Sequence, residues 1–276
     1  MNRNRTPLAI TIALLVAVGA ALLSLSGFYI DWLWFKSVSF SSVFSTVLTT
    51  KVELFLLIGV ATSAIIALNV FLAFKRRPLY VPTSFELNGV ERLRGQIEPI
   101  RKSVTAAIAI GLFYFAGSSG SRLWEVWLQY RNATPFGVKD AQFGKDISFY
   151  AFKLPMYQSL LSWAISVAVL TTLVSAGVHY LYGGIRPQVR EDRTTVAARV
   201  QLSVLLGAIV LLKAVAYWLD RYNLALKQGK LITGPAYSDV NATLPAKAIL
   251  AGIAVICALL FFANIVRRSW RSEEHT

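Results

Sequence analysis

The sequence predicts an all-α fold: a polytopic transmembrane helical bundle with six spans and both termini in the cytoplasm. Three observations lead to this fold class. Of the 276 residues, 55% are hydrophobic and only 15% are charged, whereas a soluble domain has about 25% charged residues. The mean hydropathy is +0.55. The charged residues also cluster in short stretches that separate long uncharged runs. A soluble globule, a disordered chain and a disulfide-stabilised secreted domain are therefore excluded.

The six spans are predicted from the length of the apolar runs. A transmembrane helix needs about 20 mostly apolar residues, because each residue rises about 1.5 Å and the hydrocarbon core is about 30 Å thick. The runs are rich in Ala and Leu and lack the alternation of outer-membrane β-strands, so we interpret them as helices. The predicted spans cover residues 8–30, 54–74, 103–121, 157–182, 200–219 and 248–266.

The first span has two interpretations. Arg3 and Arg5 precede it and residues 24–27 resemble a cleavage site, as in a signal peptide. The run is long for a signal peptide, however, and Trp32 and Trp34 follow it at once, as is typical of a membrane interface. We therefore expect an uncleaved span whose outer end is anchored by Trp32 and Trp34.

The basic residues predict the orientation of the spans. With the N-terminus inside, sixteen Lys and Arg residues fall on inner segments and eleven on outer ones. An excess of basic residues on the cytoplasmic side is the usual pattern. The net charge of +14 comes mainly from residues beside the apolar runs. We therefore expect the lipid bilayer, with its anionic headgroups, as the partner of these charges, and no nucleic acid.

Two outer connections differ in composition. Residues 31–53 are aromatic and rich in serine, and Phe40 and Phe44 share one helical face, so we expect this segment to lie along the outer interface. Residues 122–153 are rich in turn-forming residues, which predicts an irregular loop.

Lys213 is the candidate polar site inside a span. It lies six residues before the outer end of the fifth span, at a depth of about 9 Å. A lysine at this depth either extends its stem to water or pairs with a carboxylate. Asp220, two turns along the same helix, and Asp31, at the same side of the membrane, are the candidate partners. We interpret Tyr217 and Trp218 as interface anchors of this helix.

Two weaker patterns have structural interpretations. His179 lies near the inner end of the fourth span beside Tyr180 and Tyr182, which predicts an interfacial histidine. Ala107 and Gly111 are four residues apart, which predicts close helix packing at that position.

Catalytic motifs are absent from the sequence. It contains no Gly-rich phosphate loop, no metalloprotease helix motif and no nucleophile elbow. Its single cysteine, Cys257, lies in an apolar run and excludes an intramolecular disulfide. We therefore predict no enzyme activity, no cofactor and no metal site.

Seven motifs occur in order along the chain: Tyr29-Ile-Asp31-Trp-Leu-Trp34-Phe35, Arg77-Pro-Leu-Tyr80-Val-Pro82, Ile97-Glu98-Pro99, Thr134-Pro-Phe-Gly137, Gln142-Phe-Gly-Lys-Asp-Ile-Ser-Phe149-Tyr150, His179-Tyr-Leu-Tyr182-Gly-Gly-Ile-Arg186 and Lys213-Ala-Val-Ala-Tyr217-Trp-Leu-Asp220-Arg221-Tyr222. Together they resemble Uncharacterised Protein Family 0182, a family of bacterial multi-pass membrane proteins. The resemblance covers roughly residues 8 to 270. It implies a location in the bacterial plasma membrane and a helical architecture, but no reaction.

The resemblance also bears on the length of the natural protein. Family members continue past six spans into a seventh span and a large extracytoplasmic region, so we expect that region to be missing here. The last six residues, Arg271 to Thr276, are the in-frame translation of a common sequencing adapter, AGATCGGAAGAGCACACG. We therefore expect the natural sequence to depart from this one after Trp270, and we exclude residues 271–276 from site reasoning.

The expected function is that of an integral membrane anchor and scaffold for the missing extracytoplasmic domain, with extracytoplasmic proteins as candidate partners. The alternative is a transporter or channel component that uses Lys213 and nearby polar groups. A membrane-embedded enzyme is the third and least favoured interpretation. The oligomeric state is not predicted.

Overall fold

The computed structural model describes residues 5–78, 95–96, 98–186, 193–228 and 234–273. Within these ranges the helices are joined by turns and irregular segments, and isolated β-bridges pair Lys139 with Asp146 and Ile185 with Thr194. The α-helices of the described residues are α1 (Arg5–Ser37), α2 (Ser41–Lys75), α3 (Arg101–Ser121), α4 (Trp124–Arg131), α5 (Leu154–Leu181), α6 (Val196–Asp220) and α7 (Leu244–Glu273).

The predicted all-α fold with six helices able to span a membrane is confirmed, whereas the cytoplasmic position of both termini stays a prediction. Within the described residues, six helices are long and apolar enough to cross a membrane: α1, α2, α3, α5, α6 and α7. Each of them coincides with one predicted span. Many of their large apolar side chains are exposed, and Leu23 and Phe115 reach 76% and 73%. An apolar exterior of this kind is stable in lipid and is a liability in water.

The helices extend beyond the predicted spans. α5 is preceded by a π-helical turn (Phe149–Lys153), and a second π-helical turn (Asp239–Thr243) precedes α7. At its other end α7 continues through Glu273. Residues 274–276 lie outside the described residues, so the interpretation of the last six residues as adapter stays a prediction.

The chain divides into two compact units, Met1–Glu53 and Leu54–Thr276. In the first unit α1 is followed, after residues 38–40, by the first turns of α2. Ser39 has a φ of 64°, in the left-handed region, and reverses the chain there. The ring of Phe44 on α2 lies 5.3 Å from that of Phe28 and 5.6 Å from that of Phe35. These residues form a helical hairpin.

The hairpin corrects the prediction that residues 31–53 form a loop between the first two spans, whereas their position along the outer interface stays a prediction. The segment is helical except for the turn at 38–40. Its serines and threonines bond back to their own helix, because Ser37 donates to the carbonyl of Trp34 at 2.8 Å and Thr46 donates to that of Ser42 at 2.9 Å. Hydroxyl groups satisfied in this way are tolerated within a helix, so the polar composition did not mark a loop.

In the second unit, α2 and α3 meet through glycines. A Cβ on Gly59 would lie 2.8 Å from the carbonyl oxygen of Phe113, and one on Gly117 would lie 2.8 Å from that of Phe55. The backbones can approach this closely only where a Cβ is missing. The prediction of close packing at Gly111 is wrong, because nothing lies within 4 Å of a Cβ built there. The close contact is one to two turns further along α3.

The loop between α4 and α5 is organised by Asp146. Its carboxylate accepts hydrogen bonds from the backbone N–H groups of Phe136 at 3.1 Å, Gly137 at 2.9 Å and Ser148 at 2.8 Å. The hydroxyl of Ser148 and these backbone donors lower the pKa of Asp146 to about 2. Gly137 and Gly144 have φ values of 76° and 63°, which side chains disfavour. The predicted irregular loop is therefore a compact turn preceded by α4.

Candidate functional site: a buried polar cluster

Three polar side chains from different helices meet in the core of the second unit. They are Asn69 on α2, His179 on α5 and Gln201 on α6. His179 is 2% exposed and Gln201 is 8% exposed. The Nε2 atom of His179 lies 3.0 Å from Oε1 of Gln201. The Nε2 group of Gln201 donates to the backbone carbonyl of Asn69 at 2.9 Å and to its Oδ1 atom at 3.3 Å. We call these three residues the polar cluster.

The direction of these hydrogen bonds identifies the donor between His179 and Gln201. Because the amide nitrogen of Gln201 is directed to Asn69, its oxygen faces His179 and can only accept. Nε2 of His179 is therefore the donor in this hydrogen bond. Asn69 completes the cluster by donating from Nδ2 to the carbonyl of Ile65 at 2.9 Å. The cluster thus joins three helices through a directed chain of hydrogen bonds.

A Gly-Gly turn covers the other side of the imidazole ring. Gly183 has a φ of 74°, and Gly184 donates its N–H to the carbonyl of His179 at 2.6 Å. A Cβ on Gly184 would lie 2.8 Å from Nδ1 of His179. The turn after α5 can therefore lie against the histidine only because residue 184 lacks a side chain.

The polar cluster continues along α5 as a stripe of buried hydroxyl groups. Thr171 and Ser175 precede His179 at intervals of four residues, and both are fully buried. Thr171 donates to the carbonyl of Val167 at 2.6 Å. The Oγ atom of Ser175 has no hydrogen-bond partner among the described residues. A buried hydroxyl without a partner is unfavourable, so Ser175 differs from Thr171 on the same stripe.

A second group of contacts lies just beyond the polar cluster, on the predicted inner side. The phenol of Tyr182 donates to Glu98 at 3.0 Å, and Glu98 pairs with Arg77 at 3.4 Å and with Arg101 at 3.2 Å. Both guanidinium groups stack on the ring of Phe74, at 4.1 Å and 3.8 Å. Burial, followed by the hydrogen bond to Glu98, raises the pKa of Tyr182. These contacts fasten the ends of α2, α3 and α5 to one another.

Lys213, the candidate from sequence, is exposed on α6. Its predicted ion pair with Asp220 or Asp31 stays a prediction. The cation that the structure places beside Asp220 is Lys247, whose Nζ atom lies 3.6 Å from Oδ2 and donates to the backbone carbonyl at 3.1 Å. Asp31 lies on α1 in the first unit, and its side chain is exposed.

The predicted interface anchors are aromatic residues near helix ends. Trp218 is 49% exposed, and the guanidinium of Arg221 lies 4.3 Å from its ring. Trp32 and Trp34 are exposed on α1, and the ammonium of Lys36 lies 5.0 Å from the Trp32 ring. Tyr217 is half-buried. Exposed rings beside cations suit the headgroup layer, although the anchoring role itself stays a prediction.

The sequence reasoning missed most of the polar cluster. His179 does lie near the end of its span, but its ring is buried against Gln201, so the predicted interfacial role is wrong. Asn69 and Gln201 were not singled out. The signal was present, because both are uncharged polar residues inside or beside apolar runs, where they usually face the protein interior. In the part of the chain that the structure describes, no three His, Cys, Asp or Glu residues could hold a metal ion.

The comparisons with known proteins agree with the motifs. The model of the Uncharacterised protein family (UPF0182) matches residues 8–274. A UPF0182 protein from a Nocardioides species is 45% identical over 269 residues, covering 98% of this chain and 27% of that protein. A UPF0182 protein from Streptomyces coelicolor is 44% identical over 275 residues, covering 98% of this chain and 28% of that protein. A UPF0182 protein from Thermobifida fusca is 41% identical over 271 residues, covering 98% of this chain and 27% of that protein.

No solved structure matches the chain. The chain spans about a quarter of the length of the curated relatives it matches, between 27% and 28% for these three. The family model and the relatives cover almost the whole chain, including all three residues of the polar cluster. The chain therefore belongs to the uncharacterised protein family UPF0182.

Proposed function

We propose that the chain is the membrane-embedded part of a longer multi-pass protein of the bacterial plasma membrane, where it anchors and scaffolds an extracytoplasmic domain. The proposal includes no enzyme activity. Two observations support this proposal. Six helices are compatible with membrane insertion, and the chain covers only 27% of the length of its Nocardioides relative. The excess of basic residues on the predicted inner segments is usual for proteins inserted in the bacterial plasma membrane and supports this location.

One observation carries the proposal: the polar groups in the core bond to one another across helices. His179, Gln201 and Asn69 join α5, α6 and α2, and Trp163 on α5 donates to Thr62 on α2 at 3.0 Å. Hydrogen bonds between spans typically contribute about 0.6–2 kcal/mol each. Bonds of this kind fix the helices relative to one another, as a scaffold requires.

The anchor proposal can be tested on the longer natural protein. Two versions are expressed, one complete and one in which the six-span segment is replaced by a cleavable signal peptide. The extracytoplasmic part is expected in the alkali-resistant membrane fraction in the first version and in the released fraction in the second. Retention of the second version on membranes would show that another segment is the anchor, and the proposal would then fail.

The second candidate function is a transporter or channel component. The observation that favours it is the unpartnered hydroxyl of Ser175 in the stripe that leads to His179. Transport pathways are lined by intramembrane polar groups that bind a passing solute or proton. Purified protein in vesicles would be tested for ion and proton flux, with Ser175→Ala as the altered variant and exposed Ser166→Ala, on the same helix, as the control. Flux that only Ser175→Ala abolishes would favour this function over a static anchor.

A further inference from the structure

A cavity of about 700 Å³ lies between α2, α3 and α5, separate from the polar cluster. Its size is within the range of small-molecule sites, about 300–1,000 Å³. Phe115 on α3 and Ser162 and Ser166 on α5 line it and are exposed, so one side of the cavity is open to the surroundings of the helices. Because these helices are compatible with membrane insertion, a lipid of the surrounding bilayer could reach the open side.

The lining changes in character along α5. Pro155, Gln158 and Ser159 line one end, and Val167 and Leu170 line the other. Pro155 and Leu170 are fifteen residues apart, which corresponds to about 22 Å along the helix axis. The end with Gln158 is close to the predicted outer interface, and the end with Leu170 is deep in the span. The cavity therefore has the polarity of a lipid that enters from the outer leaflet.

The lining residues carry no net charge. None of the described residues that line the cavity is Asp, Glu, Lys, Arg or His. An ion bound there would lose its hydration without gaining an opposite charge, which is strongly unfavourable in an apolar environment. A neutral molecule therefore fits this cavity better than an ion does.

The cavity also offers hydroxyl groups to its occupant. Ser119, Ser159 and Ser162 line it, and none of the hydrogen bonds found among the described residues involves their hydroxyl groups. Ser166 differs, because it donates to the carbonyl of Ser162 at 2.8 Å. Free hydroxyl donors in an apolar wall are suited to ester or hydroxyl oxygens of a bound molecule.

We propose that this cavity binds a neutral glycerolipid of the diacylglycerol type, with its ester and hydroxyl oxygens at Ser159 and Ser162 and one acyl chain along Val167 and Leu170. The absence of charge in the lining selects against phospholipids with anionic headgroups. The opening toward lipid provides the route of entry, and the hydroxyls hold the polar end. This binding is independent of whether the chain anchors another domain.

The test uses a diacylglycerol that carries a photoactivatable group and an alkyne tag in one acyl chain. The full chain is purified in detergent, illuminated with this probe, and the labelled peptides are mapped by mass spectrometry. Labelling is expected on the α3 and α5 peptides that line the cavity. Unlabelled diacylglycerol should compete, whereas phosphatidylglycerol at the same concentration should not.

Two variants and one control locate the binding. Ser162→Phe fills the cavity and should abolish labelling of its lining. Leu173→Phe places the same ring on the same helix, at a residue that is 65% exposed and does not line the cavity, and should leave labelling unchanged. The double variant Ser159→Ala and Ser162→Ala keeps the volume and removes two donors, so the concentration for half-maximal competition should rise about threefold to tenfold per hydrogen bond lost.

Three results would overturn the proposal. Labelling spread evenly over exposed residues and resistant to competition would mean annular lipid only. Equal competition by phosphatidylglycerol would reject the selection for a neutral lipid. Unchanged labelling in the double alanine variant, with a melting curve like that of the unaltered protein, would reject the role of the hydroxyls even if Ser162→Phe fails to fold.

Discussion

Gly59 and Gly117 occupy equivalent positions on two helices that cross at a phenylalanine pair. Each glycine follows a phenylalanine by four residues, and each faces the carbonyl of the other helix's phenylalanine at 2.8 Å from the Cβ position. The rings of Phe55 and Phe113 themselves meet edge to face, with centroids 5.3 Å apart. The crossing is therefore reciprocal: the same four-residue spacing supplies both the close backbone contact and the aromatic contact.

We expect alanine at either glycine to destabilise the bundle. Gly59→Ala or Gly117→Ala places a methyl group against a backbone carbonyl that cannot move alone, and overpacking of this kind costs about 1–3 kcal/mol. Thermal unfolding in detergent, followed by circular dichroism, measures the change. Gly111→Ala is the matched control on α3, because its Cβ meets nothing within 4 Å. It should be neutral or slightly stabilising, since Ala has the higher helix propensity.

The polar cluster leads to a double-mutant prediction. Gln201→Leu leaves the Nε2 proton of His179 buried without an acceptor, which costs about 1–3 kcal/mol. His179→Leu in the same protein should recover part of the loss, because both polar partners are then removed. Tyr180→Leu, beside the histidine but 41% exposed, is the control and should have a small effect. Simple additivity of the two single changes would contradict a direct bond between His179 and Gln201.

The lowered pKa of Asp146 predicts how acid affects the loop between α4 and α5. Its pKa is lowered from 3.8 to about 2 in the folded protein. Its contribution to stability is therefore fully present above pH 3.8 and is lost as the pH falls through about 2. Between these pH values, cleavage of the loop in Asp146→Asn should depend less on pH than in the unaltered protein, whereas Glu125→Gln, at an exposed residue of α4, should follow the unaltered protein. Limited proteolysis of the loop between pH 7 and pH 2 measures this difference, and parallel curves for all three proteins would refute it.

Substitutions of Lys247 and Lys213 would show which of the two lysines pairs with Asp220. Lys247→Met removes the cation beside Asp220 and should destabilise the protein by about 0.2–1 kcal/mol, because the carboxylate is half exposed. Lys213→Met keeps the stem of an exposed side chain and should be neutral or mildly stabilising in detergent melts. If the ion pair between Lys213 and Asp220 or Asp31 exists instead, Lys213→Met should destabilise, and a second change of that Asp to Asn should recover part of the loss.

The orientation of the spans is open to a direct test with reporter fusions. Fusions after residues 90 and 195 should report a cytoplasmic position, and fusions near residues 40, 140 and 232 an external one, because the basic residues favour this arrangement. A cytoplasmic report near residue 140 would mean that α3 or α5 does not span the membrane.

The number and kind of spans followed from the sequence because apolar length is a local property that bilayer thickness constrains directly. The residues at which helices touch did not follow. Gly111 and Gly117 are both glycines in one apolar run, and only the rotation of α3 decides which faces α2. Asn69 and Gln201 are far apart in sequence, and nothing local predicts that their helices bring them to one histidine. The predicted C-terminal end of α1 was also wrong. Serine is typical of loops, but the hydroxyl of Ser37 bonds to a carbonyl in the preceding turn of the helix, and the sequence does not show this bond.

The length of α5 has a mechanical consequence. Its 28 residues extend about 42 Å, whereas the hydrocarbon core of a bilayer is about 30 Å thick. With its headgroup layers a bilayer is about 40–45 Å thick. α5 is therefore long enough to reach both headgroup layers without tilting, so one continuous helix can connect the two faces of the membrane.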